Sequence, residues 1–180
     1  MKRIVFFLLA AVVLGSFTLS DKGAVNIEIK KGGMQINTVW ITPEWKLPAF
    51  ASALGKESRS KDGVNETYTY DIKGIVLFEP IENTMLTGKV SEMQVYYTAA
   101  DTFDTSPKGF FKGSIKVDKL NVDATLTPDL MRKKLSDWKE SAAYMDHTYR
   151  MSSKGIYIYF QFSQDEKSLV KLSIGKDKAK

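Results

Sequence analysis

The sequence predicts an α+β protein, two tandem βαβββ repeats forming a largely antiparallel sheet with helices on one face. Three observations lead there. Apolar and polar residues alternate in short runs, short polar spacers separate those runs, and a threonine-proline-acid tripeptide occurs twice ahead of a helix-like stretch. Period-two alternation marks strands with one buried face. Short polar spacers mark antiparallel turns. Thr-Pro-Glu or Thr-Pro-Asp combines an N-cap oxygen, a proline in the first turn and an acid at the positive end of the helix dipole. Many strands with few helices place the chain in the α+β class.

The elements follow in order. Lys2 and Arg3 precede the apolar run Ile4 to Leu14, and Gly15, Ser16, Thr18 and Ser20 follow it. That is the order of a secretory signal peptide, expected over residues 1–20 with a cut before Asp21, or an earlier one at Gly15 and Ser16. The run is short for a spanning helix, which needs about 20 residues, so the mature form is not expected to span a membrane; a retained anchor is the alternative. With no cysteine to carry a lipid, the protein is expected in the periplasm or outside the cell. An exported chain without cysteine points to a bacterial source.

The first repeat, 21–100, opens with an extra strand (Val25, Ile27, Ile29) expected at the sheet edge, then a strand carrying Met34 and Ile36. A helix from Pro43 to Leu54 is expected to be capped by Thr42, kinked at Pro48 and stopped at Gly55. Strands follow at Glu66 to Ile72, Gly74 to Glu79 and Val90 to Thr98. Residues 101–111 read as a linker. The second repeat, 112–175, carries a strand with Ile115 and Val117, a helix from Pro128 to Trp138, and strands at His147 to Met151, Gly155 to Ser163 and Ser168 to Ile174. Residues 176–180 are expected to fray.

Two copies are inferred from echoes in the same order. Lys31 to Asn37 answers Lys112 to Asp118, and Thr42-Pro43-Glu44 answers Thr127-Pro128-Asp129. Lys56-Glu57-Ser58 answers Lys139-Glu140-Ser141. Thr69 to Ile72 with Lys73-Gly74-Ile75 answers Thr148 to Met151 with Lys154-Gly155-Ile156. Ser91, Met93, Val95 and Tyr97 answer Ser168, Val170, Leu172 and Ile174.

The pattern Lys-Gly-Gly-Met-Gln-Ile-Asn, then Thr-Pro-Glu-Trp, then Ala53 to Arg59, then Tyr70-Asp71-Ile72-Lys73-Gly74-Ile75 resembles an uncharacterised bacterial exported family of tandem βαβββ units. That family carries an Asn after the first strand, a Trp in the helix, a Leu-Gly-Lys turn and an aromatic-Asp-x-x-Gly strand start. The second copy departs from it, with Asp118 for the Asn, Ser136 for the turn Gly and Arg150 for the Asp. The resemblance implies the fold and assigns no activity. By architecture alone the plan is similar to the secreted β-lactamase inhibitory proteins, whose stapling cysteines are missing here.

Composition excludes much chemistry. With 180 residues, 43% hydrophobic and 26% charged, the chain can build one medium core or two small ones. Absence of cysteine removes disulfides, thiol nucleophiles and cysteine-bearing metal sites. The single histidine, His147, removes multi-histidine metal sites and obliges any histidine triad to use it. Asp146 beside it would point to the opposite face of a strand, so His147, which aligns with Tyr68, reads as a half-buried packing residue. The formal charge of +5 includes Lys2 and Arg3 of the leader, too weak an excess to imply nucleic acid. The nucleophile-elbow, zinc-protease and phosphate-loop motifs are absent. Glu79/Glu82 and Asp101/Asp104 lack calcium-loop spacing and read as solvated loops. Lys108, Lys112, Lys116 and Lys119, interleaved with Phe110 and Phe111, read as a linker whose rings pack and whose lysines guard an edge. No catalytic residue, metal or cofactor is expected.

The strand faces supply the candidate site. Ile156, Ile158, Phe160 and Phe162 form an apolar face, which throws Tyr157, Tyr159 and Gln161 to the other side. The same parity exposes Gln94 and Tyr96, Thr148 and Arg150, and Lys171 and Ser173. Tyrosine and arginine dominate partner-binding hot spots because they bury much area and keep a polar tip. The partner-binding candidates are therefore Tyr96, Arg150, Tyr157, Tyr159, Gln161 and Lys171. The expected function is a non-enzymatic exported module that binds another envelope or secreted protein, inhibitor-like, through an open sheet face. An envelope structural or assembly factor and a small hydrolase built on His147 are the alternatives.

Overall fold

A computed structural model describes residues 24–30, 33–98, 104–143 and 145–177. The expected signal peptide, residues 101–103 of the linker and the last three residues of the tail lie outside the described residues.

Along the first half run β1 (Asn26–Lys30), β2 (Gly33–Ile36), β3 (Val39–Ile41), α1 (Leu47–Leu54), β4 (Arg59–Lys61), β5 (Asn65–Tyr70), a 3₁₀ turn (Asp71–Lys73), β6 (Ile75–Glu82), β7 (Met85–Leu86) and β8 (Glu92–Tyr96). The second half has β9 (Ser114–Val117), β10 (Leu120–Val122), α2 (Pro128–Lys134), β11 (Lys139–Ser141), β12 (Thr148–Ser153), β13 (Ile156–Phe162) and β14 (Leu169–Lys176). The fold is α+β, with mostly antiparallel strands and two helices.

The strands form two sheets rather than the single one expected. A five-stranded sheet has the order β10-β9-β1-β2-β3, and a nine-stranded sheet has the order β11-β12-β13-β14-β8-β6-β5-β4, with β7 pairing with β6. The large sheet is therefore joined at β14–β8, with Lys171 opposite Tyr96 and Gly175 opposite Glu92. Its inner face carries Ile75, Leu77, Met93, Val95, Ile158, Phe160, Leu172 and Ile174, all fully buried. These merge into one core with Ile27, Met34, Ile36 and Val117 of the small sheet and with Phe50, Leu54 and Met131 of the helices. The inner face is thus roofed by a second sheet as well as by helices. At about 25 cal/mol per Å², burying apolar surface on both layers is the main stabilising term.

Three local expectations are corrected. The lead strand β1 is interior, parallel to β9 on one side and antiparallel to β2 on the other. Alternation of Ile27 and Ile29 reveals a buried face but says nothing about which backbones flank it. Next, α1 starts at Leu47 with Lys46 at its N-cap, and Pro48 occupies the first turn, where a missing N–H costs nothing, so it does not kink the helix. Thr42-Pro43-Glu44 forms a turn instead, because Trp45 takes φ 54 and buries its ring edge-on against Phe50, 5.7 Å between centroids. The Leu47 amide donates to the Gly88 carbonyl at 3.0 Å. Finally, β14 runs to Lys176 and Asp177 binds Arg150, so the chain stays ordered into the segment expected to fray. In α2 the Thr127 hydroxyl does cap the Leu130 amide, and the helix ends at Lys134, short of Trp138.

Candidate functional site

Strand register places the outer face of the large sheet in rows. Thr148, Gln161, Lys171 and Tyr96 lie across one row, Arg150, Tyr159, Ser173 and Gln94 across the next, and Ser152, Tyr157, Gly175 and Glu92 across the third. The second row continues through Val76, Thr69 and Arg59, and the third through Phe78, Thr67 and Lys61. All six residues singled out from the sequence share this face.

Their environments differ. Arg150, Tyr157, Tyr159, Gln161 and Lys171 are half-buried. Tyr96, expected to be exposed, is only 4% so. The Lys171 ammonium lies 5.4 Å from its ring centroid, its hydroxyl donates to Gln94 Oε1 at 2.7 Å, and its carbonyl accepts from the Phe111 amide. The bonding continues: Gln94 Nε2 donates to Glu92 Oε1 at 2.7 Å, and the Tyr157 hydroxyl donates to Glu92 Oε2 at 2.9 Å. Burial and the Glu92 carboxylate push the Tyr157 phenol well above its ordinary value, so it stays a donor at neutral pH. Arg150 lies over the Tyr157 and Tyr159 rings at 5.1 and 5.8 Å, and those rings meet edge-on at 5.3 Å. Asp177 and Ser141 anchor its guanidinium at 2.7 and 3.2 Å. Gly175 is what lets the Tyr157 ring lie flat, since a Cβ there would sit 2.2 Å from it.

The first half of the same face is covered. The segment at 104–109 crosses it, held by Thr69 Oγ1 donating to the Thr105 carbonyl, by Arg59 donating to the Asp104 and Ser106 carbonyls, and by the Lys108 amide donating to Asp71. Asp71 also binds Arg59 at 3.2 Å. Burial opposes its charge, but Arg59 and the Lys108 amide outweigh this and hold Asp71 below its ordinary value. The motif Asp-x-x-Gly therefore serves the scaffold, with Gly74 at φ 64 leaving room for the Phe111 backbone.

Two depressions mark the uncovered half. One, of about 300 Å³, lies over Ser173 between Tyr159, Gln161, Lys171 and Glu92. The other, of about 690 Å³, lies at the strand ends where Arg150, Tyr157 and Asp177 face Pro80, Glu82 and Lys89 of the first half. Among the described residues, the Oε1 of Gln161 is the buried side-chain atom without a hydrogen-bond partner. Nothing in the sequence signalled it, because an orphaned atom arises from packing of strands distant in the chain.

The remaining candidates are structural. His147 stands at φ 53 in the turn before β12, not in the strand as expected; its Nδ1 is 3.0 Å from Glu166 Oε1, which also accepts from the Tyr149 hydroxyl at 2.6 Å. Those two contacts hold Glu166 below its ordinary value. Glu79, expected in a solvated loop, is buried in β6 and accepts from Tyr68 and the Gly88 amide. Phe111 packs edge-on against Tyr97, whereas Phe110 is partly exposed. Among the described residues no group of three or more His, Cys, Asp or Glu is placed to hold a metal ion, and no helix is long and apolar enough to cross a membrane.

A family model described as Domain of unknown function (DUF7738) matches residues 26–132, from β1 into α2. The chain belongs to this family. The DUF7738 match ends before β12, β13 and β14, so it includes the covered half of the outer face but not Arg150, Tyr157, Tyr159, Gln161 or Lys171. No curated protein matches the chain. Among solved structures it is similar to an extracellular protein containing a SCP domain from Bacillus anthracis str. Ames, with TM-score 0.47, 10% identity, and 73% of this chain against 43% of that one. It is also similar to a DUF4309 family protein from Bacillus subtilis subsp. subtilis str. 168, with TM-score 0.42, 12% identity, and 81% against 88%. A cysteine-rich secretory protein from Staphylococcus aureus subsp. aureus Mu50 gives TM-score 0.37, 11% identity, and 76% against 44%.

Proposed function

We propose that this DUF7738 chain is an exported, non-catalytic binding module, inhibitor-like in action, that engages another envelope or secreted protein through the uncovered half of its outer sheet face. One observation carries the reading. Arg150, Tyr157 and Tyr159 form a half-buried stack whose polar ends are held by Asp177, Ser141 and Glu92. Side chains fixed before contact lose little rotamer freedom on binding, which favours affinity. The charged leader with its apolar run and small residues supports export.

Affinity capture from envelope extract tests the reading. The wild-type protein retains one partner, a Tyr157→Ala/Tyr159→Ala variant loses it while keeping its circular dichroism, at a lowered Tm that still leaves it folded at the assay temperature, and Lys119→Ala, outside the face, retains it. Equal recovery by the folded double variant removes the proposal.

A further inference from the structure

The turn that joins β4 to β5 carries the one Asp-Gly step of the 180 residues, Asp62-Gly63, and the chain has no Asn-Gly step. An aspartate followed by glycine is where a chain most readily attacks itself, because a residue without Cβ lets its amide nitrogen swing toward the preceding carboxyl. The fold leaves that freedom intact. Asp62 and Gly63 are exposed, Val64 beyond them is 92% exposed, and a Cβ on Gly63 would meet nothing nearer than the Asn65 carbonyl at 3.4 Å. Asp71 and Asp118, by contrast, precede Ile72 and Lys119, and their carboxylates are engaged by Arg59 and by the Trp138 indole.

We propose that Asp62-Gly63 is a site of self-modification, where the turn closes to a succinimide and reopens to isoaspartate with Glu66 as the proton donor. A carboxyl loses water only from its neutral form, and a carboxylate in water carries its charge at neutral pH. Glu66, 7% exposed and directly opposite the buried Glu79, donates a hydrogen bond to Asp62. That bond first, then burial and the charges of Asp62 and Glu79, raise Glu66 above its ordinary value against the pull of Ser60. The other neighbours are engaged elsewhere, Tyr68 with Glu79 and Lys61 with Asp104. A carboxyl that keeps its proton beside a reacting group acts as a general acid. In the first step the Gly63 nitrogen bonds to Asp62 Cγ and one Asp62 oxygen leaves as water, with one proton from Glu66 and one from the amide. In the second, water opens the ring. Attack at Cγ restores aspartate; attack at the α-carbonyl gives isoaspartate, with one more backbone carbon just after Lys61, the residue that pairs with Thr67.

Incubation of the purified, folded protein in buffers from mildly acid to neutral pH tests the site. Electron-transfer fragmentation of its peptides separates isoaspartate from aspartate, and a mass lower by one water reports the succinimide. Both are expected to accumulate at Asp62 ahead of every other aspartate. Gly63→Ala, which has room for its methyl group, is expected to slow conversion about tenfold, a barrier change of about 1.4 kcal/mol. Glu66→Gln carries no acidic proton, so its rate is expected to match wild type in acid, where solvent protonates Asp62, and to fall below it as pH rises to neutral. A glutamate that merely shaped the turn would change the rate equally at every pH. No isoaspartate or succinimide at Asp62, equal accumulation at the other aspartates, or a wild-type rate in Gly63→Ala overturns the site. A wild-type pH profile in Glu66→Gln overturns the role of Glu66, and circular dichroism establishes that each variant is folded.

Discussion

The outer face of the large sheet is finished differently over its two halves. Over β4, β5 and β6 the segment 104–109 lies across the strands, and Thr69, Arg59 and Asp71 are used up in holding its backbone. Over β12, β13 and β14 no such strap lies among the described residues, and Arg150, Tyr157 and Tyr159 stand half-buried, stacked on each other rather than under passing chain. Two turns with the same Lys-Gly-Ile tripeptide show the contrast in miniature. Lys73-Gly74-Ile75 and Lys154-Gly155-Ile156 correspond in sequence, and both glycines have positive φ. A Cβ on Gly74 would sit 2.3 Å from the Phe111 nitrogen, whereas one on Gly155 would meet nothing within 4 Å. A polar sheet face can be completed by its own chain or by a ligand, and this molecule does the first on one side only.

The largest test of that contrast is the glycine pair. Gly74→Ala adds a clash with backbone to left-handed strain and is expected to cost about 3 kcal/mol; Gly155→Ala carries the strain alone, about 1 kcal/mol. Urea unfolding of both variants checks this, and equal losses would mean that the Phe110–Phe111 backbone, which follows the strap, does not bear on Gly74. Asp71→Asn removes the carboxylate that holds Arg59 and the Lys108 amide and is expected to lose about 2 kcal/mol near neutral pH. Because the folded value of Asp71 is lowered, its contribution is present above the ordinary carboxylate range and disappears as pH falls through the folded value. Wild type and variant should therefore converge in acid, measured as Tm against pH. A smaller effect of opposite sign is expected at Glu66, raised by its hydrogen bond to Asp62 and by burial. Its stability is greatest below its unfolded value and falls as pH rises through the folded one, so Glu66→Gln should raise Tm by about 2 °C at neutral pH and leave it unchanged in acid.

The legibility of the molecule divides along physical lines. Parity along a strand is local, so Ile156 to Phe162 sufficed to set Tyr157, Tyr159 and Gln161 on one face together. Who lies beside a strand is not local: the parallel pairing of β1 with β9 joins Asn26 to Ser114, and no alternation pattern encodes that. Tyr96 is buried against the parity of its strand for the same reason, since Lys171 and the Phe111 amide reach it from far along the chain. The two Thr-Pro-acid tripeptides look alike, yet the first forms a turn, because core packing of Trp45 outweighs the local helix signal. The orphaned Gln161 oxygen is a property of tertiary packing and has no sequence signature.

In the binding mode proposed above, a partner meets the uncovered half of the face and not the strapped half. A photo-crosslinking residue placed at Lys171, on the open side, or at Lys61, exposed at the edge of the strapped side and ion-paired with Asp104, tests it in envelope extract. A partner adduct is expected from position 171 and none from position 61; equal adducts, or an adduct from position 61 alone, would remove the proposed binding face.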